Sequence, residues 1–196
     1  MRSDPAPLGR DPVEWSTPGW LSASLYAAME AGFGHSRPFG LDPCSPTLDP
    51  ARAPIWAERY YTRAEDGLTQ PWSGRVYLCP PGTGEVGAWT ARAREAVRAG
   101  EAELVVGLIP ARVPARWWSR DVAHDAHFWF LHGRMRFGTW VRPAPYPAAL
   151  AVWGGDRGGF DRASFLESLR GLMIGYRRQR PPLMRLWEPR QGAAAD

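Results

Sequence analysis

Lysine is absent from this chain. All 24 basic residues are arginine, set against 20 acidic ones, for a formal charge of +4. Cysteine is scarce: Cys44 and Cys79 are the only two. That is too few for a disulfide scaffold, and the spacing offers no zinc site, so a reduced cytoplasmic setting is the expectation. The N-terminal MRSDPAPLGR lacks an apolar signal segment. No apolar run approaches the ~20 residues that a membrane-crossing helix needs, so no membrane is expected. The four histidines are scattered. His124 and His127 could share a helix face, but no third ligand is evident, and no metal is expected.

What is present is ordinary globular material. The 196 residues, 44% of them apolar, suffice for one domain with a full core. A GC-rich coding sequence explains the arginine bias by itself. The bias still has chemical consequences, because the planar guanidinium fork suits phosphates and base edges. An isoelectric point of about 9.5 favours an anionic partner, most simply nucleic acid.

Residues 1–14 are rich in Pro, Asp and Arg and read as a loose arm. A helix follows in STPGWLSASLYAAMEAG, with Thr17 as N-cap, Pro18 at the first helical position and Gly32 as the stop. FGLDPCSP is a short strand broken at Asp42-Pro43, and IWAERYY holds another. RVYLC is a strand, EVGAWTARAREAVRAG a helix ending at Gly100, and AELVVGLIP a strand buried on both faces. AHFWFLHG and ALAVWGG complete the strands. DRASFLESLRGLMIGYRRQR reads as a last helix, with Phe165, Leu166, Leu169, Leu172, Met173 and Tyr176 on its apolar face and a Pro-broken tail after it. Strands alternate with helices early and succeed one another late. The fold class is therefore α/β, a mostly parallel sheet ending in an antiparallel hairpin. The main domain spans 15–154, and 155–196 attach to it.

One turn stands out. RVYLCPPGTG, Arg75 to Gly84, is a strand that runs into Cys79-Pro80-Pro81-Gly82. It follows an ordered series: Glu14-Trp15-Ser16-Thr17-Pro18, FGLDPCS, then YYTRAEDGLTQPW. After it come LIPARVPARWW, LHGRMRFG and an apolar closing strand. This order, over residues 14 to 153, resembles the phage-type DNA N6-adenine methyltransferase family. The resemblance implies a Rossmann-like methyltransferase fold, S-adenosylmethionine as cofactor and DNA as partner. It also implies a phage or prophage setting.

By the same resemblance Trp15, Thr17, Pro18, Asp42 and Pro43 belong to the cofactor pocket. Asp66 matches an acidic position that could accept a hydrogen bond from the cofactor's adenine amino group. Taken alone, Asp42 is a turn-former before Pro and Asp66 a solvent-facing Asp-Gly turn. Tyr60 and Tyr61 are either sheet packing or cofactor walls. The catalytic turn is Cys79, Pro80, Pro81 and Gly82, where the family carries Asn or Asp, two prolines and an aromatic. In the family the side-chain oxygen and the next carbonyl accept hydrogen bonds from the adenine amine, and the aromatic stacks on the flipped base. A thiol is a weak acceptor, and Gly82 has no ring. Trp117 and Trp118 are candidates for a substitute face. No neighbour that would activate Cys79 as a nucleophile is visible, so a small buried residue is the expected role.

Arg112, Arg116, Trp117 and Trp118 cluster after the apolar strand, and Arg134, Arg136 and Phe137 in GRMRFG. Both groups are expected to meet DNA, the arginines at phosphates or base edges and the rings by stacking. The alternative for the tryptophans is core packing. Three functions stay open: a DNA methyltransferase with an altered motif, an inactive methyltransferase fold serving as a nucleic-acid-binding or protein-interaction module, and a purely structural protein.

Overall fold

The computed structural model describes residues 16–35, 39–81, 85–138, 143–155 and 159–173. The expectations for the arm, Trp15, Gly82, Tyr176 and the basic tail fall outside these residues. Six strands form one sheet: β1 (Phe39–Asp42), β2 (Ala57–Tyr60), β3 (Gly74–Leu78), β4 (Ala102–Pro110), β5 (His127–Phe130) and β6 (Ala148–Gly154). Their spatial order is β2-β1-β3-β4-β6-β5. β2, β1, β3 and β4 are mutually parallel, while β6 runs antiparallel to both β4 and β5. This is the expected mixed α/β sheet, compatible with a Rossmann-like methyltransferase fold. The antiparallel strand lies inside the sheet, between β4 and β5.

β4 explains the continuous apolar run. Leu104, Val106 and Leu108 point into one layer of core, and Val105 and Ile109 into the other, all nearly inaccessible. Each such side chain contributes ~1.5–3 kcal/mol of burial. The first layer is closed by α1 (Gly19–Phe33) and α3 (Arg162–Leu169), through Leu21, Leu25, Met29, Phe165 and Leu169. The second is closed by α2 (Val86–Arg98) and a π-helical turn at Trp118–Ala123, through Trp89, Ala93, Trp118 and Val122.

Three local expectations are corrected. Thr17 does not cap α1: the N-cap is Pro18, whose carbonyl accepts from the N–H groups of Leu21 and Ser22. The helix stops at Gly34 (φ 71°) rather than Gly32, because the left-handed cap falls two residues later. Gly32 instead leaves room for packing, since a Cβ there would lie 2.5 Å from the Phe160 ring. The final α-helix ends at Leu169, with a 3-10 turn over Arg170–Leu172. Met173 then turns extended and bridges Leu131, and the His132 N–H donates to the Leu172 carbonyl, so sheet-edge pairing replaces further helix.

Candidate active site

The chain leaves β1 toward β2 on one side and returns to β3 on the other. β1 and β3 are therefore neighbours at a reversal of strand order, and the crevice beyond their carboxyl ends is where open parallel sheets bind ligands. Asp42 ends β1, and Cys79 follows the last residue of β3.

Asp42 is 3% exposed. Its Oδ1 accepts from the Cys44 N–H at 2.9 Å, closing an Asx turn over Pro43. Burial pushes its carboxyl up to about 7, against the lowering effect of that hydrogen bond. Among the described residues no arginine forms a salt bridge with it. A buried acid of this kind ionises more readily when a cation lies beside it.

The Asp66-Gly67 turn packs against the same loop. A Cβ on Gly67 would lie 2.1 Å from the Pro43 carbonyl oxygen. The Trp72 indole N–H donates to the Gly67 carbonyl at 2.8 Å and anchors the turn. Asp66 itself has φ 53°, a left-handed conformation that Asp tolerates, and its carboxylate is exposed at the turn. Folding thus gathers Asp42, Pro43 and the Asp66 turn on one side of the crevice. Tyr60 is buried and Tyr61 half-buried. The Tyr60 hydroxyl accepts from the Ala57 N–H at 2.8 Å, which is a sheet-packing role.

Thr17 enters from the segment before α1. Its hydroxyl lies 2.6 Å from that of Tyr77, and both side chains are buried beside Cys79. Pro18 is half-buried beside it. Cys79 keeps partial exposure as a residue, but its thiol is enclosed: burial pushes it up to about 12. A thiol with a value that high is neutral at physiological pH, and the neutral form is a poor nucleophile. Pro80 is buried and Pro81 half-buried. Cys79 and Pro80 line a cleft together with Val86, Pro110, Arg112, Phe137 and Tyr146. Among the described residues no group of three or more His, Cys, Asp or Glu side chains is placed to hold a metal ion.

The residues expected at DNA divide. Arg112, Arg116, Arg134 and Arg136 are exposed. Trp118 is 2% exposed, stacked on Phe130 with centroids 6.0 Å apart and edge-on to Phe128, so it belongs to the core and offers no face to a base. Trp117 is half-buried against Gly87, where a Cβ would meet its own Cβ at 3.0 Å. Phe137 is 8% exposed and packs in the core, with only an edge left to line the cleft. In residues 134–137 exposed arginines alternate with buried Met135 and Phe137, an extended pattern that points both guanidinium groups outward. With His132 and the half-exposed Trp20 they border a groove. Trp20 had no signal of its own in the sequence, being one of 11 tryptophans in the chain and the second residue of an apolar helix.

A family model described as DNA N-6-adenine-methyltransferase (Dam) matches residues 9–148. No curated protein and no solved structure matches the chain.

Proposed function

The chain belongs to the DNA N-6-adenine-methyltransferase (Dam) family, and from that premise we propose that it moves a methyl group from S-adenosylmethionine to the exocyclic amine of adenine in DNA. The altered turn Cys79-Pro80-Pro81-Gly82 serves as the catalytic turn. The observation that carries this reading is Asp42, a buried carboxylate without an arginine partner among the described residues, next to that turn at the switch point of the sheet.

S-adenosylmethionine supplies an electrophilic methyl group on a positively charged sulfonium. Asp42, once ionised, is the counter-charge for a cationic guest, and Pro43 shapes its turn. Thr17 and Pro18 would wall the pocket, and Asp66 would accept a hydrogen bond from the amino group of the cofactor's own adenine. On the target side, the Pro80 carbonyl accepts from the amine of the extruded base and favours the pyramidal geometry needed for attack. Cys79 offers only a weak acceptor there. Loss of a strong transition-state acceptor costs on the order of 10²–10³ in rate, so a slow enzyme is the expected outcome. Arg112, Arg116, Arg134 and Arg136 take phosphates, and binding should weaken steeply with salt as counterions are released.

The neutral thiol of Cys79 supports a second reading, a nucleic-acid-binding module without transfer activity. Calorimetry with S-adenosylmethionine and S-adenosylhomocysteine separates the two. Heat of binding supports the enzyme. No heat and no thermal shift at millimolar ligand removes it and leaves the module.

A further inference from the structure

We infer that the ring of Tyr146 is the stacking face for the extruded base, in the cleft that Cys79 and Pro80 also line. This rests on the proposed action on DNA. The motif's fourth position is Gly82 and carries no ring. Of the two tryptophans suited by sequence to replace it, Trp118 is core and Trp117 lies against Gly87. Tyr146 lines the same cleft as Cys79 and Pro80, yet it is 45% exposed.

Its backbone is stiffened for this. Pro145 and Pro147 flank it and fix their own φ angles. The Ala111 N–H donates to the Pro147 carbonyl at 2.8 Å, and the Ala144 N–H to the Met135 carbonyl at 2.7 Å. The segment is thereby tied to the end of β4 and to the core beside the cleft. A large ring left exposed on a rigid support loses little entropy when a partner covers it. Its face already holds a planar group: the guanidinium carbon of Arg112 lies 5.1 Å from the ring centroid. A flat, delocalised cation occupies the position that a nucleobase would take. Arrival of a base displaces Arg112 toward the phosphate of the same nucleotide, so one exchange gives both a stack and a charge contact.

The test uses a short oligothymidylate carrying one 2-aminopurine, whose emission is quenched by stacking, added to the full-length protein. The wild type should quench it and bind. Tyr146→Ala should relieve the quenching and weaken binding about 10-fold, whereas Tyr146→Phe should behave as wild type. The proposal is overturned if Tyr146→Ala quenches and binds as wild type does. It is equally overturned if the wild type does not quench, or if Trp117→Ala rather than Tyr146→Ala relieves the signal. Cofactor calorimetry on the same proteins is independent of this readout. Tyr146-dependent quenching without cofactor binding sinks methyl transfer and leaves the stacking face standing.

Discussion

The hydroxyls of Thr17 and Tyr77 lie 2.6 Å apart in the interior, although 60 residues separate them in the chain. The pair ties the segment that opens α1 to the end of β3, two residues before the altered turn. Tyr77→Phe removes one hydroxyl and leaves that of Thr17 buried with a partner lost. The expected cost is ~1–3 kcal/mol, read by urea denaturation. Thr17→Val together with Tyr77→Phe should cost less than the sum of the two single changes, since both partners then leave together. Additive effects would mean the two hydroxyls do not depend on each other.

Asp42 predicts a pH dependence with a definite sign. Its ordinary value is 3.8 and burial raises it to about 7 in the folded chain. Below about pH 4 both states hold the proton and folding carries no penalty. Between about 4 and 7 the unfolded chain ionises while the folded one stays protonated, so stability falls as pH rises; above about 7 the penalty is constant. The full change is on the order of 4 kcal/mol. Asp42→Asn should lose this slope relative to wild type in denaturation series from pH 4 to 8. If the two slopes coincide, Asp42 is not the group responsible.

Gly67 should tolerate no side chain. An added Cβ would meet the Pro43 backbone oxygen at 2.1 Å, and backbone cannot rotate away as a side chain can. Gly67→Ala should therefore destabilise by ~1–3 kcal/mol and lower cofactor affinity, because it pushes apart the two loops that frame the pocket. Gly171, where a Cβ meets nothing within 4 Å, is the control position. A melting temperature and a calorimetric titration on both alanine variants decide the matter.

Asp121 is fully buried and holds the π-helical turn to its surroundings. Its carboxylate meets Arg94 at 3.1 Å and Arg120 at 2.7 Å, and the Thr90 hydroxyl donates to it at 3.2 Å. Its own carbonyl accepts from the Trp153 indole N–H at 2.7 Å. Without Asp121, Arg94 keeps Glu95 at 3.4 Å and the exposed Arg120 turns to water, so the loss is chiefly of the buried hydrogen bonds. Asp121→Ala should cost ~1–3 kcal/mol. Retention of wild-type stability would show that Glu95 and solvent, not Asp121, satisfy Arg94.

The elements legible in the sequence were those set by local periodicity. β4 announced itself because both of its faces are buried, and α2 because Gly100 closes it. Misread features depended on distant partners. The Thr17 hydroxyl looked free to cap a helix but is bound to Tyr77. Gly32 looked like a stop but yields space to Phe160. The last helix looked continuous through Met173, yet Met173 pairs with Leu131. On the site side, the motif order put Asp42, Pro43, Cys79 and Pro80 in one region, and the sheet brings them there. Trp118 could not be sorted from an exposed ring by sequence, since an Arg-rich loop and a core aromatic share the same letters. Tyr146 was hidden in RPAPYP, a stretch with the composition of a plain connection.

The most direct measurement is methyl incorporation into plasmid DNA from tritiated S-adenosylmethionine, with nucleoside analysis of the product, for wild type, Cys79→Asn and Cys79→Ser. The account expects slow formation of N6-methyladenine by wild type, a marked rise for Cys79→Asn, which restores an oxygen acceptor, and little change for Cys79→Ser. Activity in wild type that both substitutions abolish would contradict it, because the thiol would then be performing the chemistry. Absence of transfer by every variant, all of them binding the cofactor, would contradict it too and leave the binding module in its place.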